Sequence, residues 1–293
     1  MKIIDCHSHY EPGLLDLKSL IRRMNEHGID QTYLMSAMTT PPIYNKSNYL
    51  MGIQRFILNS NLLWPLAKKL DDGFHKSKGE WDPWYRKLLG KGERYKILQN
   101  PDNDSVFSAV DEEPERLKGW IFLNPKIDNW KKEFFKWNSH PGSIGVKIHP
   151  FWHRYSIDEA QGIIELCKKY NLPLMIHMGF DSLNKISSFI KKNNDLKVIF
   201  CHAAFPYYSK IWKDIKESNN KFIDLSSHHV DKKTVAKTVS YFGPERCLYG
   251  VDDPYGDESA GLSIQSWINQ LDIKDSSKEK IFSKNILELI NKK

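Results

Sequence analysis

Short apolar runs recur along the chain, bounded by turn residues and mostly separated by stretches of helical spacing. The runs are KIIDCHSHY at the N-terminus, QTYLMSA (31–37), GWIFLNP (119–125), SIGVKIHP (143–150), LPLMIHMG (172–179), LKVIFCHAA (196–204), KFIDLSS (221–227) and RCLYGVDD (246–253). Several are apolar on both faces, the pattern of strands buried in a parallel sheet. Between them, LLDLKSLIRRMNEHG reads as a helix stopped by Gly28, and SIDEAQGIIELCKKYN as a helix opened by a capping box of Ser156 and Glu159. Further helices are predicted up to about 192, around 207–219 and from about 231, and the chain closes on the amphipathic KEKIFSKNILELI. Eight strands alternating with helices predict an α/β fold, a (β/α)8 TIM-like barrel, as one domain over 1–293. No GxGxxG follows the first strand, which argues against an open dinucleotide-binding sheet.

One segment breaks the alternation. Residues from about 41 to 115 run through PPIYNKSNY, LLWPLAKKL and HKSKGEWDPWYRKLLGKGERYK. That is long for a connection, so it should carry helices of its own. It follows the second strand and should emerge at the C-terminal face of the barrel, where a lid or specificity region would lie. Trp64, Trp81 and Trp84 are expected to pack a small core there rather than meet substrate.

Composition adds limits. Hydrophobic residues at 40% and charged residues at 27% suit a globular chain with a sizeable core. The net charge of +7 could favour anionic partners, but the lysines are scattered over helical stretches such as KKEFFK, without an Arg-rich stripe. Nucleic acid is therefore not expected as a partner. Cys6, Cys167, Cys201 and Cys247 are far apart and form no CxxC pair. With no leader-like segment before the first strand, they predict a reduced, cytoplasmic protein with free thiols. No apolar run approaches the roughly 18–20 residues that cross a bilayer.

The chemistry gathers at strand ends. In an extended strand alternate residues share a face, so Asp5, His7 and His9 should face one way and Cys6 and Ser8 the other. The fourth strand carries Lys147 and His149, the fifth ends in His177, the sixth in His202 and the eighth in Asp252 and Asp253. Buried strands do not end in charge without a reason. In a barrel these ends converge, and imidazoles with a carboxylate around a small space suit zinc or a similar divalent ion. A lone buried histidine is ordinarily a packed one; here every candidate lies at the same end of its strand. His27, His75, His140 and His153 lack that placement and read as surface, while His228 and His229 could line the pocket or a plain loop. Cys6 and Cys201 should point away from the cavity by alternation.

In order, DCHSHY, GVKIHP, LMIHMG, FCHAAF and LYGVDD resemble the motifs of the amidohydrolase superfamily, and within it the amidohydrolase-related branch containing aminocarboxymuconate semialdehyde decarboxylase. The resemblance covers the chain outside 41–115 and reaches the closing helix with Asn285. It implies a distorted (β/α)8 barrel with His7, His9, His177 and Asp252 as metal ligands, and His202 binding a second metal or polarising the substrate. Asp252, His202 and Lys147 become the catalytic candidates. A strand-four lysine is carboxylated in binuclear members; beside His149, Lys147 reads instead as a cationic pocket residue and one ion is expected, Zn2+ first, with Mn2+ or Fe2+ as alternatives. Asp5 should stand behind the ligands and orient an imidazole.

The expected activity is hydrolysis of an amide, lactone or ester of a small molecule, carboxylated if Lys147 has an anionic partner. The alternative on the same site is a non-oxidative decarboxylation. A nuclease of the TatD type fits less well, since a glutamate bridges the metals where this chain has Lys147; a non-catalytic metal-binding protein fits least. The insert offers a surface through which a homo-oligomer could form.

Overall fold

The computed structural model describes residues 1–39, 48–67, 69, 75–76, 79–81, 94–255 and 260–291. The first apolar run forms β1 (Ile4–Tyr10), followed by α1 (Leu17–Glu26) and β2 (Gln31–Ser36). The Asp16 side chain caps α1 by accepting from Ser19 N, and Gly28, at φ +65°, takes a left-handed turn that costs glycine little. After β2 come α2 (Asn48–Asn59) and a small antiparallel sheet of β3 (His75–Lys76), β4 (Glu80–Trp81) and β5 (Tyr95–Lys96). Then α3 (Asn103–Glu112) buries Val106, Phe107 and Val110 and leads into β6 (Leu117–Leu123). The C-terminal part of the 41–115 segment is thus a helix of the barrel wall.

From β6 the alternation is regular. It runs through α4 (Trp130–Asn138), β7 (Ser143–Ile148), the short α5 (Pro150–His153), α6 (Gln161–Lys169), β8 (Leu174–Ile176), α7 (Leu183–Lys192) and β9 (Val198–Phe200). It continues through α8 (Trp212–Glu217), β10 (Lys221–Asp224), α9 (Lys232–Phe242), β11 (Cys247–Leu248), α10 (Ala260–Asn269), α11 (Asp275–Glu279) and α12 (Asn285–Ile290). The order β1-β2-β6-β7-β8-β9-β10-β11 is parallel throughout. Backbone bonds from Cys6 N to Tyr249 O (3.1 Å), Asp252 N to His7 O (2.6 Å) and His9 N to Asp253 O (2.6 Å) then tie the last strand and its exit to the first. This is the nearly closed (β/α)8 barrel expected from the alternation.

Two apolar layers hold it. Leu34, Ile121, Val146, Ile148, Leu174, Ile176 and Val198 face the helices, whereas Ile4, Cys6, Tyr33, Trp120, Met175, Ile199, Cys201 and Leu248 fill the barrel. Each fully buried aliphatic or Phe side chain contributes roughly 1.5–3 kcal/mol. Trp120 fits because Gly145 has no side chain: a Cβ there would stand 2.6 Å from the indole and 2.5 Å from Pro173 O.

Strict alternation fails in β1. Its register against β2 shifts between Asp5 and Ser8, a bulge in which three steps on β1 meet two on β2. Cys6 and His7 therefore both turn inward. Cys6 packs with Ile4 and Trp120 inside the barrel, as does Cys201 on β9's exit, so the expectation that both thiols face away from the interior is corrected. Trp81 finds part of the small core expected of the insert, whereas Trp64 packs on the barrel instead. Trp64 lies against Phe180 and Tyr207 (5.2 and 5.1 Å between ring centroids), and Trp81 against Tyr95 and Trp152 (5.5 and 5.3 Å), so both dock on the barrel rim. Trp84 lies outside the described residues.

Candidate metal centre

The C-terminal ends of the strands deliver His7, His9, Lys147, His149, His177, His202, Asp224 and Asp252 to one buried region; each is at most 4% exposed. The chain bends sharply there. His202, Ala203, Ala204, Ser227 and Asp252 all have positive φ, between 55° and 80°. For residues with a Cβ this costs of order 1 kcal/mol or more each and persists only where surrounding contacts fix it. For Asp252 the bond from its N–H to His7 O fixes the bend that aims its carboxylate at the two histidines of β1.

The ring hydrogen bonds decide which nitrogens are bare. His7 Nδ1 donates to Asp224 Oδ2 (2.6 Å) and His9 Nδ1 to Ser36 O (2.7 Å). Each ring therefore turns a proton-free Nε2 inward. Asp252 Oδ1 lies 3.4 Å from His7 Nε2 and 3.5 Å from His9 Nε2. Burial lowers the pKa of both imidazoles, with the Lys147 charge adding to the effect, so they stay neutral. Burial pushes the Asp252 carboxyl up, and charge on the His202, His9 and His7 rings would bring it down; with those rings neutral, a cation between them is what would keep it ionised. Two bare nitrogens and a carboxylate oxygen at these distances repel one another unless a cation lies among them. His9 Nε2 and Asp252 Oδ1 have no hydrogen-bond partner among the described residues. The residues fit a divalent cation, and these three donor atoms lie within 4.8 Å of one another.

A second line of bonds orders the other rings. His202 Nδ1 donates to Ser226 O (3.2 Å) and Ser226 Oγ (2.9 Å), leaving its Nε2 to accept from His177 Nδ1 (3.2 Å). His177 Nε2 is then bare and without a partner among the described residues. His177 joins the buried cluster through His202, outside the tight trio, while His202 Nε2 stands 3.9 Å from Asp252 Oδ2. Burial lowers His202 to about 4. Lys147 Nζ sits 3.3 Å from His7 Nε2 and donates to Cys201 Sγ (3.1 Å). Burial pushes the Cys201 thiol up to about 12, so it keeps its proton and is a poor ligand although it faces inward.

Two further expectations change. Asp5 does not orient an imidazole: its carboxylate accepts from His7 N (3.0 Å), Val251 N (2.9 Å) and Ser8 Oγ (2.5 Å), stitching backbone. The ring of His7 is held instead by Asp224, with Ser226 Oγ donating to the same carboxylate oxygen (2.7 Å). Both residues escaped the sequence reading, although Asp224 closes KFID as Asp252 closes its own run. Gly250 makes room for them, since a Cβ would meet Asp224 Oδ1 at 2.9 Å and His7 Cβ at 3.0 Å. His153, expected at the surface, is 2% exposed because Leu98 O accepts its Nε2–H (3.1 Å). His229 stacks on Phe205 (3.9 Å) and reaches within 5.6 Å of the His202 ring, so it lines the pocket side, and Asp253 pairs with Arg23 (2.5 Å).

The amidohydrolase family model matches residues 90–291. No curated protein matches the chain. Among solved structures it is similar to a 5-carboxyvanillate decarboxylase of Novosphingobium aromaticivorans complexed with manganese and a nitrobenzoic acid (14% identity, 99% of this chain and 96% of that one, TM-score 0.61). It is similar also to a 2,6-dihydroxybenzoate decarboxylase from Rhizobium (13% identity, 99% and 98%, TM-score 0.58). A third is a probable 2-pyrone-4,6-dicarboxylic acid hydrolase of Acinetobacter baumannii with citric acid bound (14% identity, 99% of both chains, TM-score 0.57). These likenesses share the barrel. With more than half its length matched by the family model, the chain belongs to the amidohydrolase family.

Proposed function

We propose that this chain is a metal-dependent hydrolase acting on an amide, lactone or ester of a small molecule. The observation that carries the reading is the buried meeting of His7 Nε2, His9 Nε2 and Asp252 Oδ1, none of which bears a proton of its own. His177 adds its bare Nε2 to the candidate ligand set, and His202 would join it by giving up the bond its Nε2 accepts from His177. Nitrogen donors with one carboxylate favour Zn2+, with Mn2+ or Fe2+ as alternatives. A bound ion would supply acidification of a water and polarisation of the substrate oxygen.

The protein's own groups do the rest. Asp252, ionised beside the ion it would help to hold, is the acceptor for the proton of the attacking water and returns it to the leaving group. Ser226 fixes the His202 ring with its Nε2 toward Asp252, 3.9 Å from Oδ2, a gap that a water or a substrate group would have to bridge for a proton to pass. The Lys147 ammonium, wholly buried beside His7, offers positive charge to a substrate carboxylate and takes the place a second ion would need. One ion per chain is therefore the expected stoichiometry.

A second reading, non-oxidative decarboxylation, draws support from that same buried ammonium and from the aromatic residues Phe122, Phe151 and Trp152 around His149. They would suit a flat carboxylated ring like those in the names of two structural neighbours. The four buried free thiols are in keeping with a reduced, cytoplasmic setting. No described helix is long and apolar enough to cross a membrane. Elemental analysis per chain, then turnover of lactones, amides and esters against carbon dioxide release from 2,6-dihydroxybenzoate, separates the readings. Two ions in the wild type, with one lost in Lys147→Ala, would overturn the single-ion proposal.

A further inference from the structure

We infer that His149 is a substrate-binding residue whose Nε2–H is reserved for a carbonyl or carboxylate oxygen. The argument starts from the backbone. His149 precedes α5 as its N-cap, and its Nδ1 accepts the N–H of Trp152 at 3.1 Å. A backbone amide can only donate, so Nδ1 carries no proton. The neutral ring must then bear its proton on Nε2, the reverse of His7 and His9, whose Nδ1 atoms are the donors. That reversal removes His149 from the candidate metal ligands, because its inner nitrogen has no lone pair to give.

The donor is nevertheless buried and unanswered. His149 is 0% exposed, and its Nε2 has no hydrogen-bond partner among the described residues. Leaving a buried donor unpaired costs about 1–3 kcal/mol, and native proteins seldom do so without a use for the group. Its ring stacks on His177 (4.0 Å between centroids, 21° between planes), which is hydrogen-bonded to His202 beside Asp252. Phe122, Phe151 and Trp152 surround it at 6.2–6.4 Å. The place is therefore a ring-walled edge of the same buried cluster, holding one fixed N–H. The partner that satisfies it is an oxygen without a proton of its own, on a group flat enough to lie among rings. The assignment rests on the proposed function only in taking this buried cluster as the place where substrate is received.

The test uses the metal-loaded protein labelled with 15N in its histidines. His149 is assigned by comparison with His149→Asn, a variant that keeps an N-cap acceptor and removes Nε2–H. The expected spectrum shows the proton on Nε2. That signal should shift on adding 2,6-dihydroxybenzoate or citrate if a carboxylate is taken, or a neutral δ-lactone if a carbonyl is. His149→Asn should keep its metal and bind the shifting probe about tenfold more weakly or worse. A proton on Nδ1, a signal that none of the three probes moves, or unchanged binding by His149→Asn overturns the inference. Binding with the expected shift but without hydrolysis would sustain the role of His149 and count against the hydrolase reading.

Discussion

Two arcs of the barrel rim carry imidazoles, and they are prepared in opposite ways. On the arc formed by β1, β10 and the exit of β11, acceptors outside the cavity take the Nδ1 protons, so His7 and His9 present bare nitrogens to Asp252. On the arc after β7, a backbone donor occupies Nδ1, so His149 presents a proton. Burial keeps all three rings neutral. The difference lies wholly in what touches the far side of each ring. A histidine at a strand end is thus made a ligand or a hydrogen-bond donor by its outer neighbour, and residue type alone does not say which.

The comparison can be broken hardest at Asp252. Asp252→Asn removes the charge that makes the first arc a cation site, and turnover should fall by about a thousandfold or more, with metal content reduced on elemental analysis. Retained metal with full turnover would remove Asp252 from the mechanism. Next comes the outer neighbour itself. Asp224→Asn weakens the grip on the His7 tautomer and should lower metal affinity by roughly 10–100-fold, read by competition with a chelator. Gly250→Ala acts on the same contact by crowding, since its Cβ would press on Asp224 and His7. It should lower stability by about 1–3 kcal/mol in denaturant unfolding and weaken metal binding as well.

Asp5→Asn should separate stitching from ligation. Burial raises the Asp5 carboxyl to about 7, so the folded chain keeps a proton that the unfolded chain releases near 3.8. Between those values the folded state binds more protons, and this group's stabilisation is complete below about 4 and is lost as pH rises through about 7. The difference in stability between wild type and Asp5→Asn should change over that window and level off above it, measured by urea unfolding at several pH values. Metal affinity should change far less than in Asp224→Asn.

The sequence made the barrel legible because its strands are buried on both faces and its helices are capped and amphipathic. It marked His7, His9, His177, His202 and Asp252 because each polar residue interrupts the end of an apolar run. Asp224 bears the same mark, but in KFIDLSS it merged with the polar residues that follow it. The inward turn of Cys6 was out of reach because a bulge is a property of pairing between two strands, and β1 alone reads as regular. His153 is buried by a carbonyl from residue 98, a contact made only after the insert returns to the barrel. The tautomers were invisible for the same reason: the acceptor for His7 is 217 positions away in the chain.

The closing seam of the barrel has a consequence for how the protein would respond to its ion. The bonds joining first and last strands run through the backbone of the candidate ligands themselves, Asp252 N to His7 O and His9 N to Asp253 O. A cation seated between those side chains would act as a rivet across the join. Emptying the site would loosen the cylinder along one line, and the amide hydrogens of His9 and Asp252 would trade with solvent sooner than their neighbours, a local clock for occupancy that needs no substrate.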